Sequence, residues 1–174
     1  MSGTLPGCIA LLGFRGAGKT TLGARLAERL RRPFFDLDRE IELAQGRPIA
    51  RLFAEEGEAA FRQIEAETLE GIVARPGIVL APGGGIVDRE DNRRLLKKRC
   101  ACVFLDVAEE ALLARLAGSN RPRLTALPFD EEVRSVLARR RPLYRECSDR
   151  ILPIQSDEGV DATISRLIAL VGAP

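Results

Sequence analysis

The run Gly13-Phe14-Arg15-Gly16-Ala17-Gly18-Lys19-Thr20 constrains this chain more than any other stretch. It fits G-x-x-x-x-G-K-[ST], the phosphate-binding loop pattern. That loop works between a buried strand and a helix, and the flanks supply both. Cys8 to Leu12 is an apolar run of strand length, and Leu22, Leu26 and Leu30 recur at helical spacing within Thr21 to Arg32. The glycines let successive backbone N–H groups face one anion. The helix opening near Gly18 aims its positive end at the same anion. Lys19 then reaches the β- and γ-phosphates, and the Thr20 hydroxyl can ligate Mg²⁺. The competing reading is a glycine-rich turn with no ligand. Against it, Lys19 is one of only three lysines among 27 Lys and Arg residues. A compact ammonium suits a crowded phosphate site better than a guanidinium fork. The expected nucleoside triphosphate contacts are Gly13, Arg15, Gly16, Ala17, Gly18, Lys19, Thr20 and Thr21.

With 174 residues, 45% of them hydrophobic and 30% charged, the chain is sized for one α/β domain with a substantial core. A net charge of +2 is too small to suggest nucleic acid. No apolar run is long enough to span a membrane and the first residues do not form a signal peptide, so a cytoplasmic location is expected. Four cysteines, no C-x-x-C and no histidine argue against zinc and against imidazole catalysis. Proton transfer must then fall to carboxylate, lysine or solvent. Further strand-like runs are Phe34–Asp38, Ile78–Ala81, Ala101–Leu105 and Arg150–Ile154. Helical patterns cover Arg39–Gln45, Pro48–Ala74 with a break at Gly57, Asp91–Arg99, Ala108–Ala117, Phe129–Glu146 and Asp157–Val171. In Asp91–Arg99 the basic residues Arg93, Arg94, Lys97, Lys98 and Arg99 are expected on the outside. The alternation predicts a three-layer α/β/α sandwich around a central five-stranded parallel sheet, of the P-loop NTPase type.

Several polar groups lie where such a sheet binds ligands, beyond the carboxyl ends of its strands. Asp36 and Asp38 fall on one face if the strand runs through both, although Asp38 could equally cap the next helix. Arg62 follows the apolar Phe61 and reads either as a ligand group or as a surface arginine. Gly83-Gly84-Gly85 follows a buried strand and allows close backbone approach to a ligand, where an ordinary tight turn would need one glycine. The segment from about 117 to 129 carries a glycine, two prolines and two arginines, and reads as a mobile lid.

Taken together these blocks resemble the shikimate kinases, from about Ile9 to Leu170. The resemblance is carried by the loop at 13–20, by Phe35-Asp36-Leu37-Asp38, by Phe61-Arg62, by Gly83–Gly85, by Arg121-Pro122 and by Pro142-Leu143-Tyr144-Arg145. It implies one domain over 1–174, with a substrate segment at about 36–65 and ATP and shikimate as partners of a monomer. It also implies Mg²⁺ at Thr20 and, through water, Asp36. Asp38 would hold the shikimate hydroxyls and accept the reacting proton. Arg62 and Arg145 would clamp the carboxylate, and Gly83, Gly84 and Gly85 would lie against the ring. Lys19, Asp38 and Arg121 would be catalytic, with Arg121 neutralising the phosphoryl group in flight. Arg115 resembles the arginine that stacks on adenine, one residue short of the usual spacing. Because the lid reads Arg121-Pro122-Arg123-Leu124, Arg121 and Arg123 could exchange roles. A kinase of another small hydroxy acid such as gluconate, or a ligand-sensing module without turnover, are the alternatives.

Overall fold

A computed structural model describes residues 7–117, 125–155 and 158–172. Five strands, β1 (Cys8–Leu12), β2 (Phe34–Asp36), β3 (Ile78–Ala81), β4 (Cys100–Val107) and β5 (Arg150–Ile154), form one sheet in the order β2-β3-β1-β4-β5. All four pairings are parallel. The expected sandwich is therefore present. Every residue of β1 and β3 is buried, the signature of central strands covered on both faces.

Helices α1 (Lys19–Leu30) and α7 (Val160–Val171) pack together on one face of the sheet. Helices α4 (Glu90–Arg99) and α6 (Phe129–Cys147) cover β4 on the other, with α5 (Glu109–Leu116) against α6. Between β2 and β3 lie α2 (Leu37–Gln45) and α3 (Ile49–Val73), which pack on each other beyond the sheet edge. Gly57 breaks α3 at φ 81°, ψ 172°, where the sequence places the interruption. All four cysteines are buried free thiols. No helix among the described residues is long and apolar enough to cross a membrane.

Two expectations need correction. The strand through Asp36 stops there, and Asp36 itself caps α2 by accepting from the Arg39 N–H at 3.3 Å. Asp38 stands inside the first helical turn, because one turn of helix satisfies more backbone than an edge strand two residues longer. Arg93 is not on the outer face of α4: it donates to the Val87 carbonyl at 2.7 Å and is half-buried beside the buried Asn92.

Candidate active site

The phosphate loop leaves the carboxyl end of β1 and closes on α1. Gly16 (φ 82°) and Gly18 (φ 92°) take left-handed conformations that side chains resist. The resulting curl turns the backbone N–H groups of the loop and of the first turn of α1 toward one point. Lys19 folds back over the loop and donates to the Gly13 and Phe14 carbonyls at 2.8 and 2.9 Å. Thr20 and Thr21 are exposed in the first turn of α1, and Ala17 is buried. Arg115 of α5 reaches the same loop and donates to the Gly16 carbonyl at 3.3 Å.

Beside the loop, the Thr20 hydroxyl donates to Asp36 Oδ2 at 2.6 Å. These two oxygens, one from a helix N-terminus and one from a strand end, fit the needs of Mg²⁺. That ion keeps several waters and uses phosphate oxygens instead of a closed protein cage.

The triglycine segment comes from β3, the neighbour of β1, so it runs alongside the phosphate loop. A methyl group on Gly84 would lie 3.2 Å from the Arg15 backbone nitrogen. The Tyr144 hydroxyl, whose ring stacks on Phe104 with centroids 5.2 Å apart, donates to the Gly84 carbonyl at 2.5 Å and fixes the segment from below. A methyl on Gly83 would stand 2.8 Å from Asp38 Oδ1 and 3.3 Å from Glu65 Oε1. A methyl on Gly85 would stand 2.7 Å from both terminal nitrogens of Arg62 and 3.0 Å from Nη2 of Arg140. The bare glycine edge thus has carboxylates at one end and two guanidinium groups at the other.

Each guanidinium is braced from behind. Arg62 donates to Glu65 Oε2 at 2.8 Å. Arg140 spreads Nε and Nη2 over Asp88, the shortest contact being 2.6 Å. Burial works against the Arg62 charge, but Glu65, Glu58 and Asp88 outweigh it and hold the group above its ordinary value. Burial pushes the Glu65 carboxyl up; Arg62 opposes this, and Asp38 adds to it.

Arg145 does not join this group. It points to the other side of α6, where it donates to Asp106 Oδ2 at 2.8 Å beside Arg141. The arginine that meets Arg62 is Arg140, five residues earlier. Sequence reasoning passed over it, yet a signal was there. Val136, Leu137 and Tyr144 lie four before, three before and four after it, so Arg140 lies on the buried stripe of α6. Glu65 and Asp88 were missed as well; Glu65 shares the apolar face of α3 with Phe61 and Leu69. Arg121 and Arg123 lie outside the described residues, as does most of the segment read as a lid.

The family model described as shikimate kinase matches residues 15–169. A shikimate kinase of Rhodopirellula baltica is 43% identical over 149 residues, spanning 83% of this chain and 80% of that protein. One of Chromohalobacter salexigens is 42% identical over 162 residues, spanning 92% of this chain and 89% of that protein. The shikimate kinase of Acinetobacter baumannii, solved in complex with shikimate, superposes with a TM-score of 0.85 at 38% identity, covering 94% of this chain and 91% of that one. A gluconokinase of Sinorhizobium meliloti, at 16% identity and a TM-score of 0.54, shares the fold alone.

Proposed function

The chain belongs to the shikimate kinase family, and we propose from that premise that it transfers the γ-phosphoryl group of ATP to the 3-hydroxyl of shikimate. The products are ADP and shikimate 3-phosphate. The observation that carries this reading is the convergence of Asp38, Arg62 and Arg140 on one glycine edge next to the phosphate loop. Shikimate has a carboxylate at one end and hydroxyls at the other. The site offers a buried and a half-buried cation and an exposed carboxylate in the same sense.

In this reading Arg62 and Arg140 bind the shikimate carboxylate, each through a face that its own acid leaves available. Asp38 binds the hydroxyls and accepts the proton as the acceptor oxygen attacks; with no histidine in the chain, it is the exposed carboxylate at the glycine edge that supports this choice over lysine or solvent. Lys19 leaves the loop carbonyls and follows the transferring phosphoryl group, and the backbone amides of Gly16 to Thr20 hold the phosphates. Thr20 and Asp36 would hold Mg²⁺, which would supply charge neutralisation on the phosphates. The four free, buried thiols support a reducing, cytoplasmic setting. The gluconate alternative has only a shared fold behind it.

A coupled assay of ADP formation tests the reaction and the clamp together. Arg140→Met should raise the KM for shikimate about 10- to 100-fold, the worth of one lost charge-assisted pair. Arg145→Met should leave it within about two-fold, since an exposed ion pair is worth little. Pure protein that forms no ADP in response to shikimate would overturn the reaction. Equal effects from the two substitutions would overturn the clamp.

A further inference from the structure

Glu132 is completely buried in the first turn of α6. A carboxylate taken that far from water costs several kcal/mol unless it is paired. Its Oε1 accepts from Nη2 of Arg15, the third residue of the phosphate loop. Its Oε2 accepts from the Thr125 backbone N–H at 2.8 Å and from the Thr125 hydroxyl at 3.2 Å. The Thr125 hydroxyl in turn accepts from the Leu127 N–H at 3.2 Å, and the Glu132 N–H donates to the Pro128 carbonyl at 2.8 Å. One side chain therefore joins the phosphate loop, the chain entering α6 and the helix itself.

The loop end of this strut is closely confined. The Arg15 guanidinium carbon sits 5.8 Å from the Phe14 ring centroid, and the Arg15 backbone nitrogen faces Gly84. The Arg15 side chain is only 12% exposed and is anchored at its far end by the fully buried Glu132 carboxylate, so both ends of this residue have fixed neighbours. Losing the anchor frees the third residue of the loop, whose peptides neighbour the amides that face phosphate.

We propose that Glu132 is a positioning residue for nucleotide binding. Through Arg15 it fixes the orientation of the phosphate loop, and through Thr125 it ties that loop to the start of α6. The inference rests on the reading of Gly13–Thr20 as the ATP site.

Steady-state kinetics with each substrate varied, together with melting temperatures, test it on Glu132→Gln, Arg15→Met, the double variant and Arg15→Lys. Glu132→Gln and Arg15→Met should each raise the KM for ATP about ten-fold, as when one charge-assisted hydrogen bond is lost. The KM for shikimate should stay within about two-fold. The double variant should be no worse than either single one, because both break the same link. Arg15→Lys keeps the charge and should recover most of the ATP affinity. A purely structural pair would lower the melting temperature of both variants without this split between substrates, and that result overturns the proposal. So does an unchanged KM for ATP in Glu132→Gln beside a raised one in Arg15→Met, which would mean that Arg15 acts on phosphate unaided. If Glu132→Gln does not fold, the contrast between Arg15→Met and Arg15→Lys decides, since equal KM values for ATP in those two refute the link. Lys19→Met separates the two levels of the argument. Full activity there removes the ATP site and the proposal with it, whereas lost activity beside a silent Glu132→Gln removes the proposal alone.

Discussion

Replacing Gly85 with alanine adds one methyl group at the point where the two arginines meet. The backbone there (φ −85°, ψ −1°) has a negative φ open to alanine, so the change avoids the strain of a left-handed position. The added carbon would stand 2.7 Å from both Arg62 terminal nitrogens and 3.0 Å from Arg140 Nη2. Ordinary contact distance is roughly 3.5 Å, so each guanidinium must retreat by about 0.5–1 Å. Long side chains on a surface would do so freely. These are 16% and 6% exposed and held by Glu65 and Asp88, so they retreat by loosening those pairs or by turning away from the ligand. Either way the carboxylate contact worsens by about 1.5–3 kcal/mol, the range for one hydrogen bond to a charged group. That corresponds to a loss in kcat/KM for shikimate of about 10- to 150-fold. The assay varies each substrate separately: the KM for shikimate should rise while that for ATP stays within about two-fold. The melting temperature should fall by only a few degrees, since about 1 kcal/mol of strain moves a domain of this size by roughly 2–4 °C. A KM for shikimate equal to that of the wild type, in a folded protein, would refute the idea that these guanidiniums face the substrate.

Three further outcomes are expected. Glu65 has its folded pKa raised, so it contributes stability that is complete below its unfolded value of about 4.3 and is lost as pH rises through the folded value. The melting temperature of the wild type minus that of Glu65→Gln should therefore decline with rising pH across that window, and a rising difference would contradict the assignment. Tyr144→Phe keeps the stack on Phe104 but orphans the Gly84 carbonyl, so it should cost about 1–2 kcal/mol in denaturant melts and raise the KM for shikimate. Gly71→Ala lies in the last turn of α3, at a helical position with open space around the added carbon. It should stabilise the protein by about 0.5–1 kcal/mol in the same melts and leave turnover unchanged.

The layered sheet was readable because its central strands are buried on both faces and so appear as unbroken apolar runs. The loop between β1 and α1 was readable because its chemistry demands particular residues at fixed spacing. Asp36 and Asp38 were harder. The end of a strand and the first turn of a helix both favour acids, and two residues are too few for a period to emerge. Both acids nevertheless lie at the carboxyl end of the sheet, the one against Thr20 and the other against Gly83, by different local geometry. Helix α6 shows a second limit. It carries arginines at 139, 140, 141 and 145, and resemblance to a motif singled out the last of them. Only the phase of the helix separates Arg140, in line with Tyr144, from Arg141 and Arg145, which share Asp106. Glu132 hides in the same way, four residues before Val136 on the buried side.

The order β2-β3-β1-β4-β5 makes β1 and β3 neighbours, and their hydrogen-bond register runs Cys8 to Ile78, Ile9 to Val79 and Ala10 to Leu80. The donor loop and the glycine edge are the next few residues of those two ladders. The spacing between the roots of these two segments is therefore one interstrand repeat, about 4.8 Å, held by the ladder between β1 and β3. In the proposed reaction, acceptor preference is then open to redesign through what α2, α3 and α6 hang around that edge, while the spacing of the two roots stays with the sheet.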